Sequence, residues 1–190
     1  MVDKEKIFAA LKANFVTLTM EQVTINDQGL VSVKGMAEAI NIFSRLPVSF
    51  LEVSRGFHLG KQPTLTSLVG SPQYVGGDFL VKAEILESLE GAPHTVRGTF
   101  GVRSPELKSL EHLPQGASFY FLMWNPHLPM LRLLTYKNVK FAYPVKYGGT
   151  FAGEKAWKIM QPYMGTNNPG DILRCASELN EAGFEGNAEW

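Results

Sequence analysis

The 190-residue chain is 45% hydrophobic and 19% charged, with 18 basic and 18 acidic residues. That is enough apolar material for one core, and it leaves no net field to draw nucleic acid or a membrane surface. A single cysteine, Cys175, excludes an internal disulfide and a thiolate zinc cluster.

In chain order, Asp3 is placed to cap a helix running to about Asn14, with Ile7, Phe8 and Leu11 on its inner face. Its first residues, Met1 to Lys6, alternate acid and base where a signal peptide would run basic and then apolar. No apolar run reaches the roughly 20 residues that cross a bilayer. The expected compartment is the cytoplasm, with no membrane partner. Val23 to Ile25 and Leu30 to Val33 flank an Asn26-Asp27-Gln28-Gly29 turn and predict a hairpin. Residues 1–35 are therefore read as an N-terminal cap.

Residues 36–141 carry an internal repeat. Leu65, Leu68, Pro72, Val75 and Phe79 recur as Leu86, Leu89, Pro93, Val96 and Phe100, and again as Leu107, Leu110, Pro114, Ala117 and Phe121, displaced each time by 21 residues. A shift of 22 extends the series back to Phe43, Leu46, Phe50, Val53 and Phe57, and Gly56, Gly77 and Gly98 each lie one or two residues before the recurrent Phe. Phe79-x-Val81 and Phe100-x-Val102 place two apolar side chains on one side of a strand and the middle residue on the other. One unit cannot bury its Phe alone, but stacked parallel strands can. Gly70-Ser71-Pro72 and Gly91-Ala92-Pro93 supply the corners. The expected fold is α+β: a solenoid with a parallel sheet of short strands, in which Phe57, Phe79, Phe100 and Phe121 form one internal column.

The remaining residues, 142–190, are expected to form a helical cap, the whole chain making one structural domain. A helix from about Glu154 to Gln161 uses Trp157 and Met160 for contacts and ends before Pro162. A second starts at Asn168-Pro169, stops near Gly183, and buries Ile172, Leu173, Ala176 and Leu179.

The segments Leu65 to Phe79 and Leu86 to Phe100 resemble the short leucine-rich repeats of bacterial effectors, and still more the leucine-rich-repeat proteins of unknown role encoded by tailed bacteriophages. The stretch from Asp171 to Phe184 is similar to the closing helix of those phage proteins. The resemblance implies a parallel-stranded solenoid and a protein-binding habit, with the host cytoplasm as the setting, and it implies no reaction. The buried Asn ladder usual in such repeats has Glu84, Pro105 and Pro126 in its place, with only Asn41 retained.

Chemistry-bearing patterns are sparse. His58, His94, His112 and His127 form no i, i+4 pair and have no Cys partner, so no metal and no cofactor are expected. No Gly-x-Ser-x-Gly elbow accompanies a nucleophile, Cys175 reads as a core residue, and no catalytic residue is assigned. The residues projecting from the strands are more telling. His58, Leu80, Lys82 and Arg103 precede Tyr120, Leu122 and Trp124, which are expected to form an exposed patch or to lie beneath the C-terminal cap. This row predicts a non-enzymatic protein-interaction module whose partner, following the phage resemblance, is a host protein. The alternative is nucleic-acid binding through the basic aromatic segment 119–147, which has no acid and in which Arg132, Lys137 and Lys140 would contact phosphate while Tyr136 stacks on a base.

Overall fold

A computed structural model describes residues 2–16, 20–144 and 150–190. Helix α1 (Lys4–Asn14) starts where Asp3 accepts a hydrogen bond from the Lys6 backbone N–H at 3.0 Å, and it buries Leu11 completely. Strands β1 (Val23–Ile25) and β2 (Val31–Val33) form the expected antiparallel hairpin, closed by the Asn26 side chain accepting from the Gln28 and Leu30 N–H groups. β2 also pairs in parallel with β4 (Phe50–Val53). The first coil therefore begins inside the hairpin, ahead of Met36.

The chain then winds as stacked parallel coils, of which those up to β9 contribute to two sheets and the last two, carrying β10 and β11, to one. One sheet is built from β3 (Ala37–Glu38), β5 (Phe57–Gln62), β7 (Phe79–Ala83), β9 (Thr99–Arg103), β10 (Phe119–Met123) and β11 (Val139–Ala142), neighbours in that order and all parallel. The other continues β1, β2 and β4 into two-residue strands β6 (Tyr74–Val75) and β8 (Thr95–Val96). The second sheet was not anticipated, because the Pro-x-x-Val stretches read as turns. It arises because Val75 and Val96 enter the core fully while their neighbours lend only two residues of ladder.

Repeated side chains make repeated hydrogen bonds. Ser67, Ser88 and Ser109 each accept from the backbone N–H two residues on, at 3.1, 3.1 and 3.0 Å. The next residues turn the corner with positive φ: 96° at Gly70, 83° at Gly91 and 66° at His112. A Cβ on Gly91 would lie 2.3 Å from the Val69 nitrogen of the coil beneath, so that corner needs glycine for space as well as for angle. His112 has the angle without the glycine. Because a left-handed residue with a Cβ costs roughly 1–2 kcal/mol, partly offset by the greater unfolded-state freedom of glycine, His112→Gly should stabilise the chain by about 0.5–1 kcal/mol. Urea denaturation would show it as a higher midpoint at unchanged slope.

The internal ladder of polar side chains lies one residue before the expected position. Gln62 donates to the Asn41 and Leu59 carbonyls at 2.9 and 2.8 Å, Ser104 to Leu86 at 2.7 Å and Asn125 to Leu107 at 2.8 Å; all three are buried, and Ala83 fills the equivalent place in its coil. Glu84, Pro105 and Pro126 lie just outside it. Buried carbonyls at the strand-to-turn junction are thus satisfied from within.

The aromatic column is real but ends differently. Phe57, Phe79 and Phe100 stack with ring centroids 5.8 and 5.4 Å apart and planes 12° from parallel. The next ring inward is Tyr120, 6.4 Å from Phe100, and not Phe121. β10 pairs with β9 as Tyr120↔Phe100, Phe121↔Gly101 and Leu122↔Val102. This coil reaches its strand one residue early, and a one-residue slip in a strand exchanges its two faces. Tyr120 is anchored by donating its hydroxyl proton to the Pro114 carbonyl at 2.9 Å, and burial, with Tyr136 close by, pushes its pKa up to about 12.

Beyond β11 come helices α2 (Thr150–Met160) and α3 (Pro169–Glu181), which pack on each other, with Trp157 edge-on to Phe141 at 5.4 Å. α2 begins four residues earlier than the sequence suggested. Asn168 caps α3 through the Gly170 N–H. The inner stripe of α3 is Ile172, Cys175, Ala176 and Leu179, at i, i+3, i+4 and i+7; Leu173 is a correction, since it points outward and is 71% exposed. Cys175 is core, as expected, and burial pushes its thiol pKa up to about 11. Among the described residues no helix is long and apolar enough to cross a membrane.

Candidate binding surface

The outer face of the long-strand sheet is organised in rows, because in-register parallel strands bring every repeat-equivalent residue alongside its neighbour at about 4.8 Å. One row reads Glu38, His58, Leu80, Gly101, Phe121 and Lys140. A second, nearer the strand ends, reads Lys61, Lys82 and Arg103. A shift in the β5–β7 pairing between His58 and Gly60 brings Lys61, rather than Gly60, alongside Lys82.

Of the residues expected to project, His58, Leu80, Lys82 and Arg103 do so. His58 and Leu80 are half-buried, Lys82 is exposed and Arg103 is half-buried. Tyr120, Leu122 and Trp124 correct the expectation of an exposed patch, and of the three Trp124 lies against the C-terminal segment, its indole N–H donating to Asn187 at 3.3 Å. At 4%, 0% and 1% exposure they face the core, turned there by the slip that sends Phe119, Phe121 and Met123 outward. The replacement residues carry cations: Arg103 lies 5.5 Å from the ring centre of Phe121, and Lys140 lies 5.5 Å from that of Phe119.

The gap in the first row is the distinctive feature. Gly101 has no side chain, so Leu80 on one side and Phe121 on the other wall a trough of about 360 Å³ whose rim carries Lys61, Lys82 and Arg103. Gly101 itself is buried, because Leu80 leans over it with its Cδ2 2.7 Å from where a Cβ would stand, so the Leu80 side chain lies between the trough and the strand backbone. No carboxylate lines it. Glu84 approaches only the outermost cation, Lys61, at 3.6 Å, and Glu87 is taken up by Lys108 at 2.7 Å. Lys82 and Arg103 are in no ion pair among the described residues, and the Nε of Arg103 is shielded from solvent without a hydrogen-bond partner. Phe121 and Lys61 were missed by sequence reasoning, Phe121 because of the slip and Lys61 because of the pairing shift.

The four residues assigned to nucleic acid do not form one surface of this kind. Lys140 belongs to the sheet face beside Phe121, whereas Arg132 lies in a 3₁₀ turn, 6.0 Å from the ring centre of the C-terminal Trp190. Tyr136 is half-buried, edge-on to Tyr120 at 4.8 Å, and with Lys137 it borders a separate polar recess that includes Asn138 and Asn167. Lys146, at the end of the basic segment, lies outside the described residues.

These features define an α+β protein of stacked parallel coils, a solenoid-like repeat fold with an apolar, cation-rimmed trough on its long-strand sheet. No family model, curated protein or solved structure matches the chain.

Proposed function

We propose that the protein is a leucine-rich-repeat-type binding module, not a catalyst, and that it engages a partner protein through the outer face of its long-strand sheet. The observation that carries this reading is the trough between Leu80 and Phe121. Its lining residues all come from neighbouring strands of one sheet, with no opposing wall. An open trough of this shape suits a partner that brings its own second wall; a pocket for a small molecule would enclose most of its ligand. Apolar walls with arginine at the rim supply the kind of contacts that dominate protein interfaces. In this reading the terminal helices cover the ends of the array, which parallel coils would otherwise leave open. The resemblance to phage repeat proteins makes a host protein the first partner to seek.

The test is site-specific photo-crosslinking in lysate of the source cell, with the photoreactive residue at Lys82 on the trough or at Tyr74, which is exposed on the other sheet. A defined protein adduct from position 82 that is absent from position 74 is expected. Identical adducts from both positions, or none from position 82, would remove the assignment of this face.

A further inference from the structure

We infer that the trough receives a segment of the partner that seats one bulky apolar side chain between Leu80 and Phe121 and sets a carboxylate beside it against Lys82 and Arg103. This rests on the protein-binding reading above and gives it a chemistry.

The apolar half of the argument is steric. The backbones at Leu80 and Phe121 stand two strand spacings apart, roughly 9.6 Å, with buried Gly101 between them and the Leu80 side chain leaning over it. A side chain seated there would rest on the aliphatic carbon of Leu80, with Phe121 and the Arg103 that covers it alongside. Leu80 fills the space over Gly101 and is itself half-buried, so a contact on its outer side completes its burial without moving the ladder.

The charged half follows from what is left unpaired. Lys82 and Arg103 are register neighbours, so their heads sit on adjacent strands at the same edge of the trough. With its planar head over Phe121, the Arg103 guanidinium is restrained before any partner arrives, and an acceptor placed at this rim would find it pre-organised. A carboxylate there meets two unpaired cations and no competing acid. Lys61, already near Glu84, contributes less.

Single-stranded nucleic acid also pairs negative charge with flat apolar groups, but it fits less well. The arginine lies over the only aromatic ring of the trough, and the rest of its wall is aliphatic and offers no side-chain acceptor to read a base edge.

Selection of a displayed random-peptide library on the full chain tests the inference, followed by fluorescence polarisation of the best peptide with wild type, Gly101→Leu, Lys82→Ser and Arg103→Gln. Circular dichroism and melting would confirm that each variant is folded. The enriched peptides should share a leucine, isoleucine, phenylalanine or tryptophan with an aspartate or glutamate close by, and Gly101→Leu and Arg103→Gln should each weaken binding by about ten-fold or more. Affinity for wild type should fall as salt rises. Enriched peptides without acids, undiminished binding to Gly101→Leu, failure to enrich any peptide, or tighter binding of oligothymidylate in competition for the same site would each overturn the inference. If position 82 still crosslinks a protein after such a result, the face is an interface with a different chemistry. If it does not, the protein-binding reading falls as well.

Discussion

Phe100→Ala should lower the free energy of unfolding by about 4 kcal/mol, whereas Phe121→Ala should lower it by less than about 1 kcal/mol, although both residues occupy the same place in the 21-residue sequence repeat. Phe100 is fully buried, stacked on Phe79 and in contact with Tyr120, so its removal opens a cavity in a column that cannot close, since each ring's position is set by its own strand. Phe121 is half-buried on the outer face, where truncation loses the contact with Arg103 and some apolar cover but creates no internal void. Paired urea titrations measure the difference. Equal destabilisation by the two substitutions would mean that Phe121, not Tyr120, completes the column, and the assignment of the outer face would fail with it.

Asn187→Ala should cost about 3 kcal/mol, because it strands buried polar groups. Asn187 is fully buried; its side-chain amide donates to the carbonyls of Asn125 and Leu128, both at 3.0 Å, and its oxygen accepts from the Trp124 indole N–H at 3.3 Å. Its own carbonyl receives the Met130 N–H at 3.2 Å, and that of Glu189 receives the Leu131 N–H at 3.0 Å. The alanine variant leaves two carbonyls of the last coil without these donors. Beyond the lower stability, amide exchange at Met130 and Leu131 should accelerate more than at Val81 or Val102. Exchange raised uniformly along the chain would show instead that the C-terminal segment is not a separate lock on the coil end.

The repeat was readable because its period is carried by large apolar residues, glycines and prolines together, and each type has a different physical reason to recur. The register of the last regular coil was not readable by alternation. Phe119-Tyr120-Phe121-Leu122-Met123-Trp124 is apolar at every position, so either face satisfies a hydrophobic core. One clue lay in spacing: Pro72 and Pro93 each stand seven residues before their inward ring, while Pro114 stands seven before Phe121 but six before Tyr120, whose hydroxyl can reach back to the Pro114 carbonyl. The two-residue strands of the second sheet were too short to show any period. Leu173 was misplaced although Ile172, Ala176 and Leu179 were in phase, because the fourth inward position of the stripe is held by Cys175, whose small apolar side chain gives a weaker signal than a leucine. Of the candidate site, the projecting row through Arg103 was legible; its closing wall depended on the slip.

That slip also governs how such an array can change length over evolutionary time. Inserting or deleting a whole period leaves every ring above and below in phase, and the serine-braced corners are interchangeable modules that accept a new neighbour on either side. Losing a single residue inverts the following strand instead, turning a ring that would have fed the interior into one displayed to the outside. In this chain no residue is lost, since Phe100 to Phe121 and Ser104 to Asn125 keep the full 21-residue period. The outward contour arises because β10 pairs one residue early inside an unbroken repeat, a route by which duplicated, otherwise featureless coils can acquire a recognition surface.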